Sequence, residues 1–494
     1  MNSNDLTNLL YRRQYVISPE KITMEGNFKN IVISKNYYLY YHSDLSFTKV
    51  SKGNKALYLI GDLFDYRNTD FNNKQILKHL LQFSFDECLK ETFNYCGRFF
   101  LIYIENDSIK LFHDAFASRK IYYHVNDKLW CASQPHLIAK FLNLKHSTNK
   151  EVLEYFKSVE CKNNNYAGVM DATIYDTVKQ LQPNKYLDFS LKIPVRYWPK
   201  KQYDKIKLND AVKSCSGMIE GFLESVNKRH KLMLPVTAGI DSRILFAGTK
   251  KIRNNIFYYI NKTSHLSEKS PDIYIPKKLV EKCNLKFNIV TSFEKTIEKD
   301  FLDIYHKNIE FASEEFIPVI YNYYRNFSDY INCPGIGNEI TENVLDTSAN
   351  VTAKTLAKFF HLSRFSFVQK KYNEWLMEIE PVVGKNKRMI LDIFFWEEKG
   401  GNWGNQIQTC KDIAQEEILI YNSRKYLTTM LGLEKEYRNK SSHSILHKKI
   451  IENLWPELLS EPINPSFKST LFLVLQKIKI YSLMKSLAGY VKYR

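Results

Sequence analysis

The chain has no apolar run long enough to cross a bilayer, which takes about 20 residues. Its first residues, MNSNDLTNLLYRRQY, show neither the continuous apolar core nor the small-residue cleavage site of a secretory signal. A cytoplasmic location is the expectation. There is no CxxC pair. The eight cysteines (Cys88, Cys96, Cys131, Cys161, Cys215, Cys283, Cys333, Cys410) are scattered without metal-ligand spacing, so buried, reduced thiols are expected. Acids are in deficit, 53 against 71 Lys+Arg, and the formal charge of +18 attracts anions: nucleotides, acidic glycans, nucleic acid or anionic lipid. The basic residues form no long block, and no zinc or RNA-binding signature accompanies them, so no specific nucleic-acid partner is expected. Neither GxxxxGK[ST] nor GxGxxG occurs, which excludes the two commonest phosphate loops. Internal repeats and low-complexity segments are also missing.

What is present is enough apolar material for proper cores, 44% hydrophobic and 14% aromatic over 494 residues, a length that favours two domains. From Ile31 to about Ser133, short β-rich runs (NIVISKNYYLYYH, ALYLIGDLFDY, RFFLIYIE, SIKLFHD, KIYYHV, LWCAS) alternate with turn residues, and one helical pattern, KQILKHLLQF, interrupts them. This predicts an α+β domain of antiparallel sheet. Residues 147–201 read as a connector carrying a hairpin at LQPNKYLDFS. From Leu208, helices (NDAVKSCSGMIEGFLESVNKR, SRILFAGTKK, DIYIPKKLVEKC) alternate with strands (KLMLPVT, NIFYYIN, KFNIVT, DYINC). That order predicts an α/β domain with a parallel sheet between helices. Residues 354–494 read as mainly helical.

The most informative stretch is LMLPVTAGIDSRIL, Leu232–Leu245, in which an apolar strand ends at Val236 and runs through Thr237, Ala238, Gly239, Ile240, Asp241 and Ser242 straight into a helix. Small residues let backbone N–H groups close around a phosphate, aided by the helix N-terminus. Asp241 can hold a Mg²⁺ that bridges phosphate oxygens, and Ser242 offers a hydroxyl. An ordinary strand-to-helix turn with Asp or Ser as N-cap fits the same six residues.

TAGIDSR resembles the pyrophosphate-binding loop SGGxDS of the asparagine synthetase family, with Thr237 keeping the first hydroxyl and Ala238 in place of a glycine. Further segments are similar in collinear order: CGRFFLIYIENDSIKLFHDAFASRKIYYH and VKQLQPNKYL to the amidotransferase half and its linker, then KSPDIYIPKKLVEKCNLKFNIV, NCPGIGNEI and FFWEEKGGNWGNQ to the synthetase half. The resemblance covers about residues 95–465. It implies a glutaminase-type (Ntn, class II amidotransferase-like) domain over 1–200 and an ATP pyrophosphatase (PP-loop, adenine nucleotide alpha hydrolase-like) domain over 205–465. Residues 466–494 read as a basic amphipathic helix able to lie on an anionic membrane or dock on its own domain. Implied cofactors are ATP and Mg²⁺, and implied partners a carboxylate substrate with ammonia or an amine, joined through an acyl-adenylate.

Two departures from the family pattern matter. The family nucleophile is a cysteine exposed as the processed N-terminal residue, whereas this sequence begins Met1-Asn2-Ser3 and its first cysteine is Cys88; glutaminase activity is therefore not expected, and Ser3 is a remote substitute. In NCPGIGNEI, Ile336 stands where the family's second loop carries an acid/base glutamate, with Asn338 and Glu339 on its Asp-Glu pair. The resemblance makes Glu339 the second Mg²⁺ ligand beside Asp241, and Glu398 or Glu397 the replacement base. Ile260, Gly335, Ile336 and Gly337 would line the nucleotide, and Lys468, or else Lys440 or Lys399, would steady the α-phosphate. Asp272 reads equally as an N-cap, and His265, His443 and His447 form no ligand set. The expected function is an AMP-forming amide ligase acting on a surface-polysaccharide uronic acid or a peptide. The alternatives are asparagine synthase proper, an inactive nucleotide-binding scaffold, and a tRNA-thiolating relative, which would need a cysteine pair the chain lacks.

Overall fold

The computed structural model describes residues 3–263, 266–292, 296–312, 314–342, 344–438 and 444–465. The strands of the first two hundred residues are β1 (Tyr15–Ser18), β2 (Phe28–Ser34), β3 (Tyr37–His42), β4 (Phe47–Lys52), β5 (Lys55–Asp65), β6 (Tyr95–Glu105), β7 (Ser108–His113), β8 (Tyr122–Val125), β9 (Leu129–Ala132), β10 (Val178–Gln180), β11 (Lys185–Asp188) and β12 (Ile193–Arg196). They form two antiparallel six-stranded sheets, ordered β10-β8-β9-β1-β3-β2 and β12-β11-β7-β6-β5-β4. The sheets pack face to face: Tyr15, Ile17 and Leu39 of the first meet Ile60, Phe100 and Ile102 of the second in one buried core. Outside the second sheet, Leu59, Leu101 and Tyr103 are covered by the helices Asn73–Leu80 and Phe85–Glu91. Outside the first, Val16, Tyr122 and Trp130 lie under the helix Pro135–Leu142 and under Ser366–Val383 and Lys387–Phe394 from the far end of the chain. The result is a four-layer helix, sheet, sheet, helix stack. It explains why RFFLIYIE is continuously apolar, since alternate residues of β6 enter the inner and outer cores.

The second half is built on β13 (Lys231–Pro235), β14 (Ile256–Lys262), β15 (Phe287–Thr291), β16 (Tyr330–Asn332) and β17 (Glu416–Glu417), all parallel, in the order β15-β14-β13-β16-β17. Leu232 and Leu234 point into a core with the helices Leu208–Arg229 and Ile240–Gly248, while Met233 and Tyr259 face the helices Lys299–Asn308 and Ile317–Asn326. Three strands were not read from the sequence, β1, β4 and β17; FTKVSK of β4 is a largely exposed, lysine-bearing edge strand with Val50 its one buried residue. β1 is four residues buried throughout, so it shows no alternation, and β17 is a two-residue edge. The stretch read as a connector contributes β10 to the first sheet and the β11–β12 hairpin to the edge of the second. The basic helix expected over 466–494 lies outside the described residues.

The halves are joined by buried charge. Arg98 of β6 grips Asp412 (Nη2 to Oδ2, 2.9 Å) and Glu416 (3.0 Å), and Arg119 donates to Glu416 at 2.8 Å. These arginines hold the Glu416 carboxyl down to about 2 against the pull of desolvation. Just ahead of β1, Arg13 and Gln14 donate to the carbonyls of Asp412 and Asn308 at 2.6 and 2.8 Å. Among the described residues, no helix is long and apolar enough to cross a membrane.

Candidate functional site

Strands β14 and β15 extend the parallel sheet to one side of β13, and the chain then returns to lay β16 on the other side. The order of strands reverses beside β13, and at such a point the loops leaving the carboxyl ends of two neighbouring strands part and open a crevice. The loops here are 236–240, after β13, and 333–337, after β16. They are the two segments singled out by sequence, although in the chain they lie about a hundred residues apart.

The first loop enters the helix Ile240–Gly248 with Gly239 as N-cap. The Val236 N–H donates to Tyr259 O at 2.8 Å, which anchors the turn to β14. Within it, the Thr237 N–H donates to Ser242 Oγ at 3.1 Å and the Gly239 N–H to Thr237 Oγ1 at 3.0 Å. The Ala238 N–H already holds an anion, the Asp272 carboxylate, at 2.9 Å. Behind the loop, Arg243 donates to the carbonyls of Glu461 (2.6 Å) and Pro462 (2.8 Å), and the Asn464 N–H to Ala238 O at 3.0 Å. Asp272 is thus a direct partner of the loop in addition to opening the helix Pro271–Lys282.

The second loop presses against the first. A Cβ on Gly335 would lie 2.8 Å from Ser242 N and 3.0 Å from Asp241 C, so only glycine permits this approach. Gly337 has φ +98°, and a Cβ there would stand 2.3 Å from the Phe116 ring of the N-terminal half. From this turn, Asn338 Nδ2 donates to Asp241 Oδ1 at 2.6 Å, and Tyr426 Oη to Asn338 Oδ1 at 2.7 Å. Tyr421 Oη donates to Asp241 O at 2.7 Å. His447, expected to play no role as a ligand, lies 3.1 Å from Asn338 Nδ2, and burial pushes its pKa down to about 3.

Asp241 and Glu339 are the carboxyl groups that the two loops bring to this cluster. Burial first and the Glu339 charge second raise the Asp241 pKa to about 8; burial also raises that of Glu339, whose Oε2 accepts from the Gly337 N–H at 2.8 Å. Two buried carboxylates, one of which raises the proton affinity of the other, suit a divalent cation, which would relieve both. Two protein carboxylates with phosphate oxygens is a normal donor set for Mg²⁺, which rarely takes an all-protein cage; among the described residues no cluster of three His, Cys, Asp or Glu offers such a cage. The residues present therefore fit Mg²⁺ together with a phosphate chain. A phosphate entering the loop would replace the Asp272 carboxylate on Ala238.

The other expected residues sort clearly. Ile260 is buried in β14, and Ile336 is half-buried against the core of the second domain. Glu397 is not available as a base: it is fully buried and bound by Arg196 (2.6 and 2.9 Å), Trp375 (2.8 Å) and Asn184 (2.7 Å), a structural ion pair. Glu398, its neighbour in the wide helical turn Phe395–Gly404, has no cationic hydrogen-bond partner among the described residues. It accepts from Met170 N (2.8 Å), Tyr372 Oη (2.9 Å) and Asn402 Nδ2 (2.9 Å), and burial raises its pKa to about 7. Lys399 lies in the fields of both Glu398 and Glu339, with Nζ 3.7 Å from the centre of the Trp403 ring. Lys468, Lys440, His265 and His443 lie outside the described residues. Tyr421, Tyr426 and Phe116 were missed, because no spacing in sequence marks a tyrosine or phenylalanine that buttresses a distant loop.

No protein-family model matches the chain, and no curated protein matches it. Among solved structures, it is similar to the glutamine phosphoribosylpyrophosphate amidotransferase of B. subtilis complexed with ADP and GMP, at 8% identity and TM-score 0.24, over 60% of this chain and 90% of that one. A structure of the allosteric regulatory enzyme of purine biosynthesis is similar at 10% identity and TM-score 0.23, over 56% and 65%. Overlaps this loose carry no argument about what the chain does.

Proposed function

We propose that the chain is an ATP-dependent amide ligase of the asparagine synthetase type, with a degenerate amidotransferase-like first domain and a pyrophosphatase-like second one. The observation that carries this reading is the joining of the two loops at the switch point, where Asn338 bonds Asp241 and the Glu339 charge acts on the Asp241 carboxyl. A substrate carboxylate oxygen attacks the α-phosphorus of ATP, the α–β phosphoanhydride bond breaks, and pyrophosphate leaves against the amides of residues 237–242. Asp241 and Glu339 would hold a Mg²⁺, which when bound would neutralise phosphate charge. Lys399 is the described lysine best placed to face the charge developing beside Glu339. The nitrogen of ammonia or an amine then attacks the acyl carbon, the bond to AMP breaks, and the amine proton passes to Glu398, whose pKa near neutrality suits a base.

Glutamine is not the nitrogen source in this reading. The described cysteines of the first domain, Cys88, Cys96, Cys131 and Cys161, are all buried. Burial pushes their thiols up, to about 12 for Cys88 and Cys161, the reverse of a thiolate nucleophile. The acyl substrate is taken to be a uronic acid or a peptide carboxylate. A second reading, a nucleotide-binding scaffold without turnover, is favoured by Ile336 against the core and by the side-chain acceptors already on the loop amides.

The deciding experiment is ATP–pyrophosphate exchange by the purified full chain across uronic acids, amino acids and peptides, followed by AMP release on adding ammonia or amines. Acid-dependent exchange is expected. Nucleotide binding without exchange by any acid would leave the scaffold, and ammonia release from glutamine would restore the glutamine-dependent synthase.

A further inference from the structure

A groove of about 530 Å³ runs between the helix Phe85–Glu91, the chain after β12 and the helix Arg424–Leu431. It is separate from the crevice above and is the right size for a ligand. Its wall is aromatic: Phe93 and Tyr197 lie 6.3 Å apart between ring centres, and Trp198 stacks on Tyr203 at 6.0 Å. Its rim is basic. Lys90, Lys200, Lys205 and Lys425 all line the groove, are exposed, and form no ion pair among the described residues. Of the two acids beside them, Asp204 is already paired with Lys201 at 2.6 Å, leaving Asp86.

We propose that this groove docks an acidic peptide segment that inserts one apolar side chain between flanking Asp or Glu residues. Four lysines without an ion pair among the described residues, on three separate elements, suit charges spaced along an extended chain better than one phosphate, which would need converging donors. An apolar anchor in a desolvated aromatic pocket supplies most of the affinity in such contacts. The aromatic faces argue against a nucleic-acid strand. Stacked bases require several open rings, whereas the Arg424 guanidinium covers Phe93 at 4.8 Å and Tyr197 at 4.9 Å and leaves the Trp198–Tyr203 pair as the apolar wall for a single anchoring side chain. A concave groove also does not fit a membrane plane. The helix Arg424–Leu431 lines the groove with Lys425, and its Tyr426 bonds Asn338, so the occupant touches the element that holds the candidate site.

The probe is a fluorescein-labelled Glu-Glu-Phe-Glu-Glu peptide, followed by anisotropy with the full chain at low salt. Saturable binding is expected, weakened at least about tenfold by the combined Lys90→Glu, Lys205→Glu and Lys425→Glu substitutions, and lost with Lys-Lys-Phe-Lys-Lys on the unmodified protein. Replacing the peptide's Phe by Ser should weaken it by about tenfold as well. The substituted lysines are exposed, and an unchanged thermal transition checks that the variant is folded. Absence of saturable binding, binding indifferent to the three substitutions, or displacement by oligothymidylate at a lower concentration than unlabelled peptide would each overturn the proposal.

Discussion

Replacing Asp241 by asparagine keeps an oxygen to accept from Asn338 Nδ2, at 2.6 Å in the present chain, and removes one of the two charges that meet at the crevice. A carboxyl moved from 3.8 to about 8 corresponds to at most about 6 kcal/mol of unfavourable ionisation in the folded state. Asp241 and Glu339 are both partly exposed, and solvent screening reduces the expected effect to about 2–3 kcal/mol. The sign follows from proton binding: the folded state holds the Asp241 proton more tightly than the unfolded chain. Stability from this group is therefore complete below about pH 4 and falls as pH rises to about 8. The asparagine side chain does not titrate, so in EDTA the Asp241→Asn variant and the parent should be equally stable near pH 4, and the variant more stable by about 2–3 kcal/mol at pH 8 and above. Added Mg²⁺ should raise the parent's urea midpoint at pH 8 and leave the variant's unchanged. A stability difference that is flat with pH, or a variant weaker than the parent at pH 8, would refute the pairing of these carboxylates.

Gly337→Ala should destabilise the fold by about 2–4 kcal/mol, since it places a Cβ both in the left-handed region and against the Phe116 ring; urea denaturation measures it, and Phe116→Ala in the same chain should recover part of the loss. Arg98→Met leaves Asp412 and Glu416 buried with less compensation and should cost about 3–5 kcal/mol at neutral pH. Glu416 is depressed to about 2, so its contribution is present above its ordinary pKa and lost as pH falls; the stability gap between parent and variant should therefore be widest near neutral pH and narrow in acid. Glu398→Gln should leave acid-dependent pyrophosphate exchange unchanged while amide formation drops about a hundredfold and loses its dependence on a group near pH 7. Exchange and amide formation falling together would give Glu398 a structural role only.

What was legible in the sequence were the features that a few adjacent residues determine alone. The β13 strand and its turn could be read because apolar residues stop at Val236 and small ones begin, and the helix Leu208–Arg229 because its pattern runs for six turns. Local pattern failed where burial comes from both sides. β1 lies at the centre of its sheet between β9 and β3, so every residue of YVIS is buried and the alternation that announces a strand is erased. It failed again at Glu397 and Glu398, adjacent residues that looked equivalent. A side chain's partners are set by tertiary geometry, and there one glutamate meets Arg196 from the first domain's β12 while the other meets a tyrosine and two amide N–H donors. The same limit applies to the crevice itself. TAGIDS and CPGIGNE each remain ambiguous as isolated turns; what makes them one site is that β16 returns to the open side of β13, a fact of strand order rather than of either motif. Once that order is known, the glycines at 335 and 337 acquire separate reasons, close backbone approach to Ser242 and the left-handed turn beneath Phe116. The N-terminal domain then does more than accompany the crevice, because its Phe116 ring and the Arg98–Asp412 pair hold the second loop and β17 in place.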